Sequence, residues 1–138
     1  MAPPVDINYW AVLAAAAFQM VLGFLWYGPL FGKQWMKLMG FNEKSMKGMN
    51  MTPLQATIGG VVTAWVMNYV LAHFVDYTQA ANFIDGATAG AWIWLGFIAT
   101  VQLGSVLWEG KPVKLYVLNT AYYLVALVVT GGILAAWA

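Results

Sequence analysis

The sequence predicts an all-α integral membrane protein: four transmembrane helices in an antiparallel bundle, both termini on the outer side, and a short interfacial helix in the first cytoplasmic loop. Composition is the first observation behind this. Of 138 residues, 62% are hydrophobic and 8% charged, whereas soluble globular domains carry roughly 25% charged residues. A water-soluble fold built from this chain would lack a charged surface. The second observation is four apolar runs, at about 8–30, 53–75, 86–108 and 115–137. Each is close to the roughly 20 residues that a helix needs to cross about 30 Å of hydrocarbon. The third is where the lysines fall. Lys33, Lys37, Lys44 and Lys47 lie between the first and second runs, and Lys111 and Lys114 between the third and fourth. Four crossings put both groups on one side, which the positive-inside bias makes cytoplasmic. Asp6, Asp76, Asp85 and both termini then face out.

The length allows one domain, a four-helix transmembrane unit over 1–138. A net charge of +1 offers no basic field for nucleic acid. The chain has no cysteine, which removes disulfides, thiolate catalysis and cysteine metal sites.

Met1 to Asp6, with Pro3 and Pro4, reads as an extended outer tail, and Asn8 as the cap of the first span. Asp6 and the lack of an early lysine or arginine argue against a cleaved signal peptide over this run. Gln19, Gly23 and Tyr27 recur at helical spacing, giving a small and polar face that turns inward. The run ends at Trp26-Tyr27-Gly28-Pro29, an aromatic pair and a helix break. Tyr9, Trp10, Trp26, Tyr27, Trp35, Phe74, Tyr77, Trp108, Tyr116 and Trp137 all fall near span ends, where amphipathic rings favour the headgroup layer.

In the loop from Phe31 to Met51, apolar residues interleave with the lysines, the pattern of an amphipathic helix lying in the interface. Met36 with Met39, Met46 with Met49, and Met49 with Met51 match thioether spacings that suit copper(I). The preferred reading is flexible apolar filler, and no metal is assigned. Pro53 opens the second span, where its missing N–H does no harm. Thr57, Gly60, Ala64 and Asn68 form a small and polar stripe that suits close helix packing. His73, near the outer end, reads as an interfacial side chain.

Asp85 marks the start of the third span, placed at a helix N-terminus by the backbone dipole. Gly86 and Gly90 form a GxxxG pair, and Gly96, Thr100 and Gly104 repeat small residues every fourth position. Both patterns permit backbone approach, within the bundle or between copies. Trp92 and Trp94 point different ways, so one faces lipid. At the inner end, Gln102, Ser105 and Glu109 share one face. Beyond the Gly110-Lys111-Pro112 turn, Asn119, Tyr122 and Tyr123 share another. A loop this short makes the two spans neighbours, so a polar cluster of Gln102, Ser105, Glu109, Asn119 and Tyr122 is expected in the inner leaflet. Lys33 or Lys111 would serve as counter-ion to Glu109. A carboxylate at full depth would cost about 2.5 to 3.5 kcal/mol. A purely structural version of this cluster would glue helices through hydrogen bonds worth about 0.6 kcal/mol each, and that reading is preferred.

Three blocks carry a resemblance: Trp26-Tyr27-Gly28-Pro29-Leu30-Phe31-Gly32-Lys33-x-Trp35, Trp92-x-Trp94-Leu95-Gly96-Phe97, and Glu109-Gly110-Lys111-Pro112-x-Lys114-Leu115 followed by Asn119 and Tyr122. From about Asn8 to Trp137 the chain resembles the membrane-protein family known as domain of unknown function 1761. The resemblance implies a small bacterial-type, four-span inner-membrane protein and implies no activity.

Enzyme motifs are missing from the sequence: no HExxH, no P-loop, no GxGxxG after a strand, and no Ser-His-Asp set. No cofactor is expected, and no span carries an ionisable residue at its centre, as a proton-driven pump would. The preferred reading is a non-enzymatic membrane protein acting through helix packing, as a homo-oligomer or as an accessory subunit of a membrane complex. Its partners would be the lipid bilayer and other membrane subunits. A small oligomeric carrier or channel, lined by Gln19, Asn68, Gln102 and Asn119, is the first alternative. A lipid- or pigment-binding protein using its tryptophan-rich surfaces is the second.

Overall fold

The computed structural model describes residues 5–42, 48 and 51–137. Among these residues there are five helices and no strand: α1 (Tyr9–Leu30), α2 (Gly32–Met39), α3 (Pro53–Tyr77), α4 (Phe83–Leu107) and α5 (Val113–Ala136). All but α2 are long and apolar enough to cross a membrane. Pro3 and Pro4 of the expected outer tail lie outside the described residues, as do Lys44, Met46, Lys47 and Met49 of the first loop.

Helix ends follow local chemistry. The Asn8 side chain accepts from the N–H groups of Trp10 and Ala11 at 3.1 and 3.3 Å, satisfying two donors that have no partner within α1. Its own amide donates to the Trp137 carbonyl at 2.8 Å, tying the start of α1 to the end of α5. Thr52 and Gln55 form a reciprocal capping box at the start of α3, with Pro53 between them. Helix α4 starts three residues ahead of the expected Gly86. Asn82 accepts from the Asp85 N–H at 2.9 Å and so moves the cap upstream, leaving Asp85 in the first turn. Similarly α3 runs on to Tyr77, and α5 begins at Val113, directly after Pro112.

Two of the long helices depart from α geometry. The last five residues of α1, Trp26–Leu30, form a π-helical turn in which Gly28 leaves helical dihedrals altogether (φ −111°, ψ −105°). The cause is Pro29, which has no N–H and whose ring collides with the preceding turn. A second π-helical segment, Trp94–Ala99, interrupts α4. Such segments are rare and recur at functional sites. Helix α2 follows after Phe31 and ends at Gly40, whose left-handed φ of +74° suits glycine.

The core is assembled from small and branched residues of α1, α3 and α5: Ala11, Val12 and Ala15 against Leu71 and Val75, with Leu127, Leu134 and Ala135. In lipid, apolar burial does not favour helix pairing over contact with acyl chains, so close packing must supply the attraction. Helices α4 and α5 make the tightest seam. A Cβ on Gly86 would collide with the Gly131 carbonyl, and one on Gly90 with the carbonyl of Leu127. Gly131 faces Gly86 in return, and the Phe83 ring covers Gly132. Gly60 makes ordinary contact with Met20, and Ala64 is fully buried. Gly96 and Gly104 have no other helix among the described residues against the position of their Cβ. Six residues at roughly 100° each put Gly96 about a third of a turn away from the Gly86–Gly90 face.

Candidate functional site

Around residues 116–122 of α5, donors and acceptors from five positions on α1 and α4 converge. The Trp26 indole donates to the Leu118 carbonyl at 3.1 Å, and the Trp94 indole to the Thr120 carbonyl at 2.7 Å. The Tyr116 hydroxyl donates to the Ala99 carbonyl at 2.7 Å. From α1, the Tyr27 hydroxyl donates to Asn119 Oδ1 at 2.8 Å, while Tyr122 donates to the Gln19 carbonyl at 3.2 Å. Trp26 and Tyr27 belong to one π-helical segment, Trp94 and Ala99 to the other. The irregular turns of α1 and α4 are thus pinned to the same stretch of α5. This satisfies a strong local demand, because a backbone or indole polar group facing hydrocarbon without a partner costs several kcal/mol.

A second polar pair lies deeper. Asn68 is fully buried, and its amide donates both to Gln19 Oε1 at 2.8 Å and to the Ala64 carbonyl at 2.9 Å. Its own Oδ1, and the Thr130 hydroxyl, are buried without a hydrogen-bond partner. An orphaned acceptor of this kind costs about 1–3 kcal/mol.

The polar cluster expected from the sequence divides. Gln102, Ser105, Glu109, Lys111 and Asn119 line one cavity of about 300 Å³, with Met39 of α2 on its wall. Tyr122 is not among them. It lines a different cavity, of about 360 Å³, with Gln19, Gly23, Tyr27 and Tyr123. Lys33 is exposed at the start of α2 and lies off both walls. Ser105 donates to the Gln102 carbonyl at 2.8 Å within its own helix, and Asn119 is engaged by Tyr27. Glu109 is exposed, and among the described residues no ion pair joins it to Lys33 or Lys111. The four side chains expected to line a pathway are also distributed. Gln102 and Asn119 line the first cavity and Gln19 the second, while Asn68 is sealed in the core.

The sequence reading did not assign Trp26, Tyr27, Trp94 and Tyr116 to bonds between helices. Trp94 carried a usable signal: it sits near the middle of α4, too deep for the headgroup layer, and a buried indole N–H needs an acceptor. Its neighbour Trp92 is 69% exposed on the outer face.

Among the described residues, no three His, Cys, Asp or Glu side chains gather as metal ligands. The His73 Nδ1 donates to the Tyr69 carbonyl at 2.8 Å, one turn back in its own helix. The half-buried Met36 and Met39 lie on the apolar side of α2 with Trp35, and Met51 is exposed. The assembled chemistry is that of neutral hydroxyls, carboxamides and indoles that fix helices against each other, with charged groups at the helix ends.

A family model described as a protein of unknown function (DUF1761) matches residues 10–135. No curated protein and no solved structure matches the chain.

Proposed function

The chain belongs to the DUF1761 family, and from that premise we propose a non-enzymatic, inner-membrane protein that acts through helix packing, as a homo-oligomer or as an accessory subunit of a membrane complex. The four long helices form one antiparallel bundle, with α2 lying in the cytoplasmic interface and both termini outside. The charge distribution supports this orientation. Asp6 and Asp76 line a small cavity with Asn8 and Leu134, at the end where Asn8 meets Trp137. Lys37 and Lys114 share a groove elsewhere, and Lys111 shares a cavity with Met39 of α2. Gathering the lysines at one end is what the positive-inside bias requires.

The observation that carries the packing role is the free side of α4. Its Gly86 and Gly90 are committed to α5, while Gly96 stands open beside exposed Trp92 and Thr100, on the long helix that its own chain covers least. A small residue open on the outside of a helix suits another transmembrane helix, because it lets the two backbones approach.

Purification from native membranes in mild detergent, followed by native mass spectrometry, tests this reading. The expected result is more than one copy of the chain, or this chain with another membrane subunit. Gly96→Leu should dissociate the assembly while leaving the helix content unchanged. A wild-type chain that travels alone overturns the proposal.

A further inference from the structure

A groove of about 710 Å³ opens between the end of α1, helix α2 and the first turns of α5. It falls in the range of pockets that enclose small ligands, about 300–1,000 Å³. Its floor is apolar: the Trp26 and Phe31 rings from one side, Val117, Leu118 and Ala121 from the other. Its rim is basic. Lys37 and Lys114 are both exposed on it, with the Gln34 carboxamide beside them, and among the described residues its wall carries no carboxylate.

We infer that this groove binds one anionic phospholipid from the leaflet on the lysine side. The two ammonium groups offer only donors and positive charge to a phosphate, and the Gln34 NH2 adds a further donor. The apolar floor beneath them takes the start of an acyl chain. Neither half is explained by packing: a basic rim unmatched by acids among the described residues is complementary to an anionic headgroup, and basic pockets between membrane helices recognise such lipids. The π-helical turn at Trp26–Leu30 creates the space, since it swings α2 away from the axis of α1 and leaves a gap beside α5. The site needs the four helices to be embedded in lipid but does not depend on the number of copies. Its failure is therefore distinguishable from failure of the oligomer.

The test is native mass spectrometry of the full chain in detergent, titrated with phosphatidylglycerol or with phosphatidylcholine of the same acyl chains. Phosphatidylglycerol should bind more tightly, with one saturable site per chain. Each lysine near an anionic headgroup contributes about fivefold, so Lys37→Gln with Lys114→Gln should weaken binding roughly 30-fold. Ala121→Trp, which fills the floor and keeps both ammonium groups, should also abolish the saturable site. Inorganic phosphate in excess should fail to compete, because it lacks the chain that the floor takes. Equal binding of the two lipids overturns the proposal. So does full competition by phosphate, or an equal loss from the control pair Lys33→Gln with Lys111→Gln. Helix content by circular dichroism accompanies each variant, and the lipid preference of the wild-type chain decides the matter even if a variant fails to fold.

Discussion

Replacing Gly90 by alanine adds one methyl group inside the close seam between α4 and α5. A Cβ there would stand against the Leu127 carbonyl oxygen, 2.7 Å from the Leu127 carbonyl carbon and 3.2 Å from the Val128 nitrogen. All three are backbone atoms of α5, so no side chain can rotate aside. Carbon atoms rest at about 3.5–4.0 Å, so α4 and α5 must separate by about 1 Å. Overpacking of this kind typically costs about 1–3 kcal/mol. The separation also strains the bonds from Trp94 to Thr120 and from Tyr116 to Ala99, worth about 0.6 kcal/mol each. Together these terms give about 2–4 kcal/mol. Alanine's better helix propensity offsets about 1 kcal/mol of it. Gly96→Ala receives that same propensity gain with nothing within 4 Å of its new methyl, so the difference between the two variants isolates the seam. Reversible unfolding in mixed micelles titrated with SDS, followed by circular dichroism, should place Gly90→Ala about 2–4 kcal/mol below Gly96→Ala. Two variants within about 0.5 kcal/mol of each other, the range of an ordinary surface substitution, would refute the close approach of α4 and α5.

The Tyr27 to Asn119 bond should appear in a double-mutant cycle of Tyr27→Phe and Asn119→Ala as a coupling of about 0.6 kcal/mol, and at most about 1.7; a coupling of zero in the same unfolding assay removes it. Asn68→Ala strands Gln19 Oε1 in the core and should destabilise by about 1–3 kcal/mol, while Asn68→Leu combined with Gln19→Leu should recover much of that loss because both polar groups leave together. Trp92 and Trp94 should separate by fluorescence in brominated lipid: with all other tryptophans replaced by phenylalanine, the chain keeping exposed Trp92 is strongly quenched, and the chain keeping Trp94, whose indole is bonded to Thr120, is quenched weakly. Because the chain has no cysteine, single cysteines report its sidedness cleanly. Lys114→Cys should react with an impermeant maleimide only after the cells are opened, and Asp76→Cys in intact cells; the reverse pattern inverts the proposed topology.

The span positions were legible because the lipid requirement acts on composition and length, which a linear chain states directly. Helix ends were legible where one residue fixes them, as Asn8 and Pro53 do. The start of α4 was not, because Asn82 competes with Asp85 for the role of cap and only the backbone geometry selects it. The side chains expected to form one polar cluster line two cavities, and their order along the chain offers no way to divide them. Neighbouring residues such as Asn119 and Tyr122 are three apart, close on a helix face, yet one meets Tyr27 and the other the Gln19 carbonyl. Which neighbour each reaches depends on how α1 lies against α5, and the π-helical turn at Trp26–Leu30 shifts that register.

Taken alone, then, the order of residues determined that this protein carries four membrane-length helices, with its lysines confined to two loops, since hydropathy and charge need no partner to act. Tertiary structure decided which glycines are spent inside the chain and which stay open, where the indoles of Trp26 and Trp94 find acceptors, and that α2 leaves a groove against α5. Those outcomes depend on distances between backbones that are remote in sequence. A small residue records that approach is permitted, and only the packed helices record where it happened.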